Sequence, residues 1–339
     1  MKIRILPWLL TLALAVLLSD NILWCLGFPV ANVSDDTDPY CLWEPPTGAH
    51  QSNEDPNVWE NVGLDGTRRS HHQMISPRPY RVLCLGCSYT FGVGVADEDT
   101  YVWRLNELMP SVEFVNGGVG GYGPLACLVR EKRLLEKGSF DLVMYGLIGE
   151  HHRRSAIPQT RNVEGSGRYR HCPARSVYTL PITAVQEELR FVDLWPRRYD
   201  VPGASFSPLL NFIGGYYTAF RVRCQHRPSW QEQQLILCDI LDRQCQLAAG
   251  YGCPYLLVSL QDRPNQALLS PQVHYFDNTL PGGIRNADRV GGLRHNHPGR
   301  NVHRYWAERL AVYLSQPEVF TKLIAYPRPT HRRHPSGSR

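Results

Sequence analysis

Apolar residues in this chain gather into short continuous runs bounded by turn residues. The runs at Arg81–Leu85, Val112–Val115, Asp141–Leu147 and Tyr255–Leu260 have the length of strands buried on both faces. Between them the period becomes helical. Thr100–Met109 is stopped by Pro110, and Pro124–Lys137 has Pro124 in its first turn and Gly138 behind it. Ser229-Trp-Gln-Glu232 is a capping box that opens a helix to about Ala249, with Gly250 closing it. A last helix, about Asn301 to Leu314, carries Val302, Tyr305, Trp306, Leu310 and Tyr313 as a stripe. Strands alternating with helices through short links predict an α/β domain with a parallel sheet covered on both sides.

That domain is expected over residues 80–318, with an insertion at 155–228 where the pattern degrades. Aromatic residues of the insertion (Tyr169, Tyr178, Trp195, Tyr216, Tyr217) read as core or as a pocket lining. Residues 31–79, rich in Asp, Pro, Asn and Gly, read as a linker and irregular lead-in, and 319–339 as a basic disordered tail. At the front, Lys2 and Arg4 precede the apolar run Ile5–Leu18. Ser19, Asp20 and Asn21 follow, then a second apolar patch from Ile22 to Val30. The first run has the length of a signal-peptide core. Together the patches approach the length of a transmembrane helix, with Asp20 costly near the middle. Residues 1–30 are therefore expected to be a signal peptide or membrane anchor, leaving the rest exported, as a membrane-anchored or a periplasmic or extracellular protein.

The ten cysteines fit an oxidising compartment. Cys172, Cys224, Cys238, Cys245 and Cys253 are expected to supply the bridges; their spacings match no zinc signature. Cys84 and Cys87 have a redox-motif spacing, but Cys84 lies inside a strand and reads as a buried apolar residue. The net charge of +5 is mild and owes much to the last residues, Pro327–Arg339. No basic helix face or zinc-finger spacing supports a nucleic-acid partner.

Candidate chemistry lies where the strands end. Parallel strands deliver their carboxyl-terminal loops to one edge of the sheet, where α/β proteins bind ligands. Gly86–Thr90, Gly117–Gly123 and Gly149–Arg154 are three such loops, and His295-Asn-His-Pro298 precedes the last helix. Ser88 offers a nucleophile and an N–H for an oxyanion, and the glycines around Gly121 let another N–H approach a substrate. His297 is placed to act as general base.

Gly86-Cys-Ser-Tyr-Thr-Phe-Gly-Val-Gly-Val95 resembles the Gly-Asp-Ser block of the SGNH (GDSL) hydrolase family. Asn116-Gly-Gly-Val-Gly-Gly-Tyr-Gly123 is similar to its second block, and His295-Asn-His-Pro298 with the helix behind it to its final Asp-x-His-Pro block. The resemblance implies a flavodoxin-like three-layer αβα fold and a serine esterase or acyl hydrolase without metal or organic cofactor. Its partner would be an ester substrate, such as an O-acetylated glycan or a lipid. It assigns Ser88 and His297 as catalytic, and Ser88, Gly121 and His151 as the oxyanion hole. The departures are Cys87 and His295 in place of Asp, and Glu150-His151 where the third block has Asn. With the orienting acid gone from position 295, Asp288, a backbone carbonyl and His295 itself are the candidates for that role. A non-catalytic binding module and an O-acyltransferase using the same serine are the alternatives.

Overall fold

The structure is a computed structural model that describes residues 5–25, 45–52, 54–72, 77–156, 159–162, 175–178, 207, 209–210, 213, 229–283, 288–290 and 297–325. The elements in chain order begin with α1 (Ile5–Cys25), β1 (Gly48–Gln51), β2 (Trp59–Val62), β3 (Tyr80–Leu85), α2 (Ser88–Phe91) and α3 (Tyr101–Leu108). Next come β4 (Val112–Asn116), α4 (Pro124–Lys137), β5 (Leu142–Leu147), α5 (Glu150–Ala156), β6 (Gln159–Asn162) and β7 (Arg175–Tyr178). The chain continues with α6 (Trp230–Gly250), β8 (Tyr255–Ser259), β9 (His274–Asp277), β10 (Arg289–Val290), β11 (His297–Pro298), α7 (Arg300–Leu314) and α8 (Pro317–Leu323).

Five strands form one parallel sheet in the order β4-β3-β5-β8-β9. Numbered within the sheet this is 2-1-3-4-5, the flavodoxin-like doubly wound order. The expected three-layer αβα fold is the observed one. Strands β5 and β8 are buried at every position, as their unbroken apolar sequence requires. Their alternate residues serve two cores. Val82, Cys84, Met144, Leu256 and Val258 pack with Leu105, Trp306, Leu310 and Leu323 of α3, α7 and α8. On the other face Leu83 and Leu85 meet Leu134 of α4 around Gly117, and Tyr255 donates its hydroxyl proton to Gln244 of α6.

Helix starts follow the sequence signals. The Thr100 hydroxyl caps α3 by accepting from Trp103 N–H at 3.2 Å, and the Ser229–Glu232 capping box opens α6. Strand β9 carries no continuous apolar run and went unanticipated; it is the sheet's edge, partly exposed along its length. Residues 319–324, expected in the tail, belong to the fold. Leu323 and Ile324 are each only 1% exposed, because the apolar positions Val319, Phe320, Leu323 and Ile324 return at helical spacing onto the α7 face.

The lead-in is ordered as well. Strands β1 and β2 form an antiparallel hairpin, and the segment behind it bridges to β4 through Arg68 and Asn116. Arg68 is buried, and its guanidinium ends the loop after α2. Its Nε donates to Asp97 Oδ1 at 2.8 Å, Nη1 to the Phe91 and Gly92 carbonyls, and Nη2 to the Val95 carbonyl at 2.6 Å. Asp97 in turn accepts from Asn61 Nδ2 at 2.6 Å.

The residues group into two compact units, Glu44–Ala156 with Pro228–Arg339, and Met1–Trp43 with Ile157–Arg227. In the second unit α1 carries Asp20, whose carboxylate accepts from the Ser207 hydroxyl at 2.8 Å and from Leu209 N–H at 3.0 Å. The expected transmembrane helix is not borne out: among the described residues no helix is long and apolar enough to cross a membrane. The polar Ser19-Asp20-Asn21 step lies inside this helix, in its second half. Strands β6 and β7 pair antiparallel within the insertion. The expected disulfides fail in part: Cys238 and Cys245 are free, buried thiols, because their places on α6 turn them into the core, where Cys253, before β8, is also buried. Cys172 and Cys224, the other two, lie outside the described residues.

Two outcomes are expected from these contacts. Arg68→Ala leaves the buried Asp97 carboxylate and several carbonyls unpaired and should cost about 3–5 kcal/mol in urea unfolding; a loss under about 1 kcal/mol would refute the network's weight. Glu131, fully buried on α4, has both carboxylate oxygens without a hydrogen-bond partner among the described residues. Burial holds its carboxyl well above the usual range. The native state therefore keeps this proton to higher pH than the unfolded chain, so stability falls as pH climbs past the ordinary value of about 4.3. Glu131→Gln should raise the urea midpoint at neutral pH and leave it unchanged near pH 3.

Candidate active site

The carboxyl end of β3 sets the first group. Gly86 and Cys87 turn the chain into α2, which begins at Ser88, a residue 6% exposed. Helix α2 is held from three sides. Asn116 Nδ2 donates to the Thr90 carbonyl at 3.0 Å, the Tyr101 hydroxyl to Thr90 Oγ1 at 3.2 Å, and Arg68 to the Phe91 carbonyl at 2.9 Å. Cys87 Sγ lies 4.0 Å from Ser88 Oγ. Burial raises this thiol's pKa, with Arg154 opposing, so a neutral thiol stands beside the serine where the resembled family has a carboxylate.

The loop after β4 lies against α2. Gly117 N–H donates to the Cys84 carbonyl at 2.8 Å and Val119 N–H to the Gly86 carbonyl at 3.1 Å. A Cβ on Gly118 would sit 2.4 Å from Phe91 N, so only glycine allows this approach. Gly121 has φ +80° in the turn that Tyr122 N–H closes on the Val119 carbonyl at 3.2 Å. Arg130 of α4 braces the loop from behind, its Nε donating to the Gly117 carbonyl at 2.6 Å.

Behind β5, helix α5 presents Glu150, His151 and His152 in succession, and their environments differ. Glu150 is exposed and pairs with Arg154, whose Nη1 donates to the Tyr122 carbonyl at 3.2 Å. His151 is fully buried. Its Nδ1 lies 2.8 Å from the Tyr145 hydroxyl and accepts from Ile148 N–H at 3.4 Å. An Nδ1 that accepts from a backbone N–H places the ring proton on Nε2, which has no hydrogen-bond partner among the described residues. Burial, then the neighbouring Arg154 and His152, hold the His151 pKa well below the usual histidine value. The ring is thus a neutral donor at any ordinary pH. His152 takes another course: Gln234 Nε2 lies 2.8 Å from its Nδ1, and Asp262 Oδ2 lies 3.3 Å from its Nε2.

His297 begins β11, which pairs with β10 so that His297 faces Val290. Helix α2, opening at Ser88, packs against β11, and the Tyr89 ring stands 6.0 Å from the His297 ring, edge to face. Among the described residues a carboxylate near the imidazole is that of Glu54, its Oε1 3.9 Å from His297 Nδ1. Asp288 instead accepts from Asn301 Nδ2 at 3.3 Å at the start of α7, while His295 lies outside the described residues. His303, in the same block, is structural: its Nδ1 accepts from Tyr101 N–H at 3.2 Å, and burial takes its pKa down to about 3. Among the described residues no group of three or more His, Cys, Asp or Glu is placed to hold a metal ion.

No family model matches this chain, and no curated protein does. Solved structures resemble it distantly. A member of the lipolytic protein G-D-S-L family from Veillonella parvula is 12% identical, covering 72% of this chain and 100% of its own at a TM-score of 0.36. A carbohydrate esterase whose active site displays divergent catalytic and non-catalytic binding functions is 13% identical, covering 73% of this chain and 68% of its own at a TM-score of 0.34. A salicylyl-acyltransferase from a tetracycline biosynthetic pathway is 11% identical, covering 74% and 58% at 0.29. At identities and scores this low, none of them bears functional weight for this chain.

Ser88, Gly121, His151 and His297 all lie on loops or element ends at the carboxyl edge of the sheet. Glu54 was not anticipated, because a Glu in an Asp- and Pro-rich lead-in carries no local signal; Arg68 escaped for the same reason. If His151 donates to an oxyanion, His151→Ala should lower kcat on a short-chain ester about 10²–10³-fold with KM little changed. A KM effect alone in steady-state kinetics would refute the donor role.

Proposed function

We propose that this protein is a serine-dependent ester hydrolase or acyltransferase of the SGNH type. The observation that carries the reading is the packing of α2 against β11, which sets the helix that opens at Ser88 beside His297. In the proposed reaction Ser88 Oγ attacks the ester carbonyl carbon while His297 takes the hydroxyl proton. The tetrahedral oxyanion is met by the N–H groups of Ser88 and Gly121 and by His151 Nε2–H. Collapse expels the alkoxide, which receives the proton from His297 and leaves an acyl-serine. Water, or an acceptor alcohol, then attacks the acyl carbon with His297 again as base.

A neutral His151 supports this better than a charged group would: it donates a hydrogen bond to the oxyanion without depressing the basicity of His297. The apolar helix α1 behind Lys2 and Arg4 supports an exported protein, and that location favours an acylated glycan or lipid as the ester.

Ser88→Ala should abolish hydrolysis of p-nitrophenyl acetate and labelling by a fluorophosphonate probe. It should change stability by no more than about 1 kcal/mol, the scale of a turn or cap hydroxyl. Probe adducts located by mass spectrometry on any residue but Ser88, or activity that survives the substitution, would sink the assignment.

A further inference from the structure

We infer that Glu54, on the loop joining β1 to β2, is the residue that positions His297, in place of the acid missing from the last block. The inference rests on the reading of His297 as general base. The two side chains come together largely out of water: Glu54 is 11% exposed, His297 15%, and the carboxylate oxygen lies 3.9 Å from Nδ1. That nitrogen is the one a base must commit to an orienting acceptor if Nε2 is to exchange a proton with the serine. The separation is about 0.7 Å beyond the long end of an N–H···O hydrogen bond, about 3.2 Å, and catalytic contacts are often long before substrate tightens the site.

The approach is built into the fold. Ser52 N–H donates to the Val58 carbonyl at 2.8 Å and Val58 N–H to the Asp55 carbonyl at 3.0 Å, closing the loop around Glu54. Glu54 N–H itself reaches the Ser52 hydroxyl at 3.4 Å. A Cβ on Gly94 would lie 3.2 Å from Glu54 Cβ and 2.6 Å from Val290 Cγ2. The base of the Glu54 side chain, the loop after α2 and the strand paired with His297 thus form one packed cluster. Adjacent Glu60 locks the same loop after α2 to the hairpin, its carboxylate accepting from Gly94 N–H at 3.1 Å.

Among the described residues, the other groups around the imidazole do not compete for the role. Tyr89 faces it from α2, and burial pushes that phenol up to about 12, so it is neutral. Buried His303, on α7, is neutral too, its pKa lowered by burial and further by the neighbouring cations and His297. Arg289, on β10, is a cation near Tyr89, and a cation favours the uncharged imidazole. Among the described residues, Glu54 is the group placed to stabilise the imidazolium.

The experiment compares the full-length protein with Glu54→Gln and Glu54→Asp, following fluorophosphonate labelling of Ser88 and p-nitrophenyl acetate turnover against pH. An NMR titration of the His297 ring gives a readout that needs no turnover. Removing the carboxylate should lower kcat and the labelling rate about 10- to 10³-fold, less than the loss of about 10⁴ for the buried, directly bonded acid of a protease triad. KM should barely move. The acid limb of the rate profile and the NMR pKa of His297 should both shift to lower pH, because the charge favouring the imidazolium is gone. Glu54→Asp should recover part of each effect. A folded Glu54→Gln protein with unchanged rate, acid limb and His297 pKa overturns the inference while leaving Ser88 as nucleophile. Wild-type protein that is never labelled at Ser88 overturns the catalytic reading, and with it the positioning role, whatever the His297 titration shows.

Discussion

The buried guanidinium of Arg68 is the constraint on which the site depends. A loop of glycines and small residues follows α2, and its carbonyls at Phe91, Gly92 and Val95 point inward, where water cannot satisfy them. An unpaired buried carbonyl costs on the order of 1–3 kcal/mol, and a charged donor with a planar fork serves several at once. The charge brought inside is balanced by Asp97, itself held by Asn61 of the hairpin. One side chain therefore ties the lead-in, the end of α2 and the start of the α3 region together. It thereby helps to hold α2, which opens at Ser88, and the hairpin whose loop carries Glu54.

The electrostatics of the site follow from how deeply each histidine sits. His151 and His303 are fully buried and uncharged, so each serves as a fixed hydrogen-bonding group, one for the site and one for the joint between α3 and α7. His152 is drawn both ways, since burial lowers its pKa and Asp262 raises it. His297 differs in having a carboxylate nearby and a share of solvent. In the proposed reaction, a base that must alternately gain and lose a proton suits such a mostly buried place with some solvent, whereas an oxyanion donor is better kept neutral. Tandem histidines of identical chemistry in Glu150-His-His-Arg153 thus separate into different roles by environment alone.

Much of the fold was legible from local pattern. The strand runs at β3, β4, β5 and β8, the Ser229 capping box and the Pro124 and Gly138 boundaries of α4 all appear where the sequence puts them. These signals are local, because a strand buried on both faces needs unbroken apolar residues and a helix start needs a donor-satisfying cap. The fifth strand, the hairpin of the lead-in and α8 were not legible. Each is short or mixed in polarity and is stabilised by what it packs on, not by its own period. The cysteines of α6 were misread for a related reason: spacing along the chain says nothing about which face a thiol occupies.

By itself the sequence determined the class of fold, the order of its elements and the candidates at the carboxyl edge of the sheet, Ser88, Gly121, His151 and His297. Each of these rests on backbone geometry that nearby residues dictate. Only the tertiary structure decided what surrounds them: that His151 is neutral with its proton on Nε2, that Cys87 is a buried thiol, and that an acid stands by His297 at all. The chain's last block holds no acid at its expected position, and the carboxylate arrives from Glu54, near the other end of the domain in sequence. Packing of the β1–β2 loop against Gly94 and Val290 makes that meeting, and contacts between distant segments leave no trace in the local pattern of either.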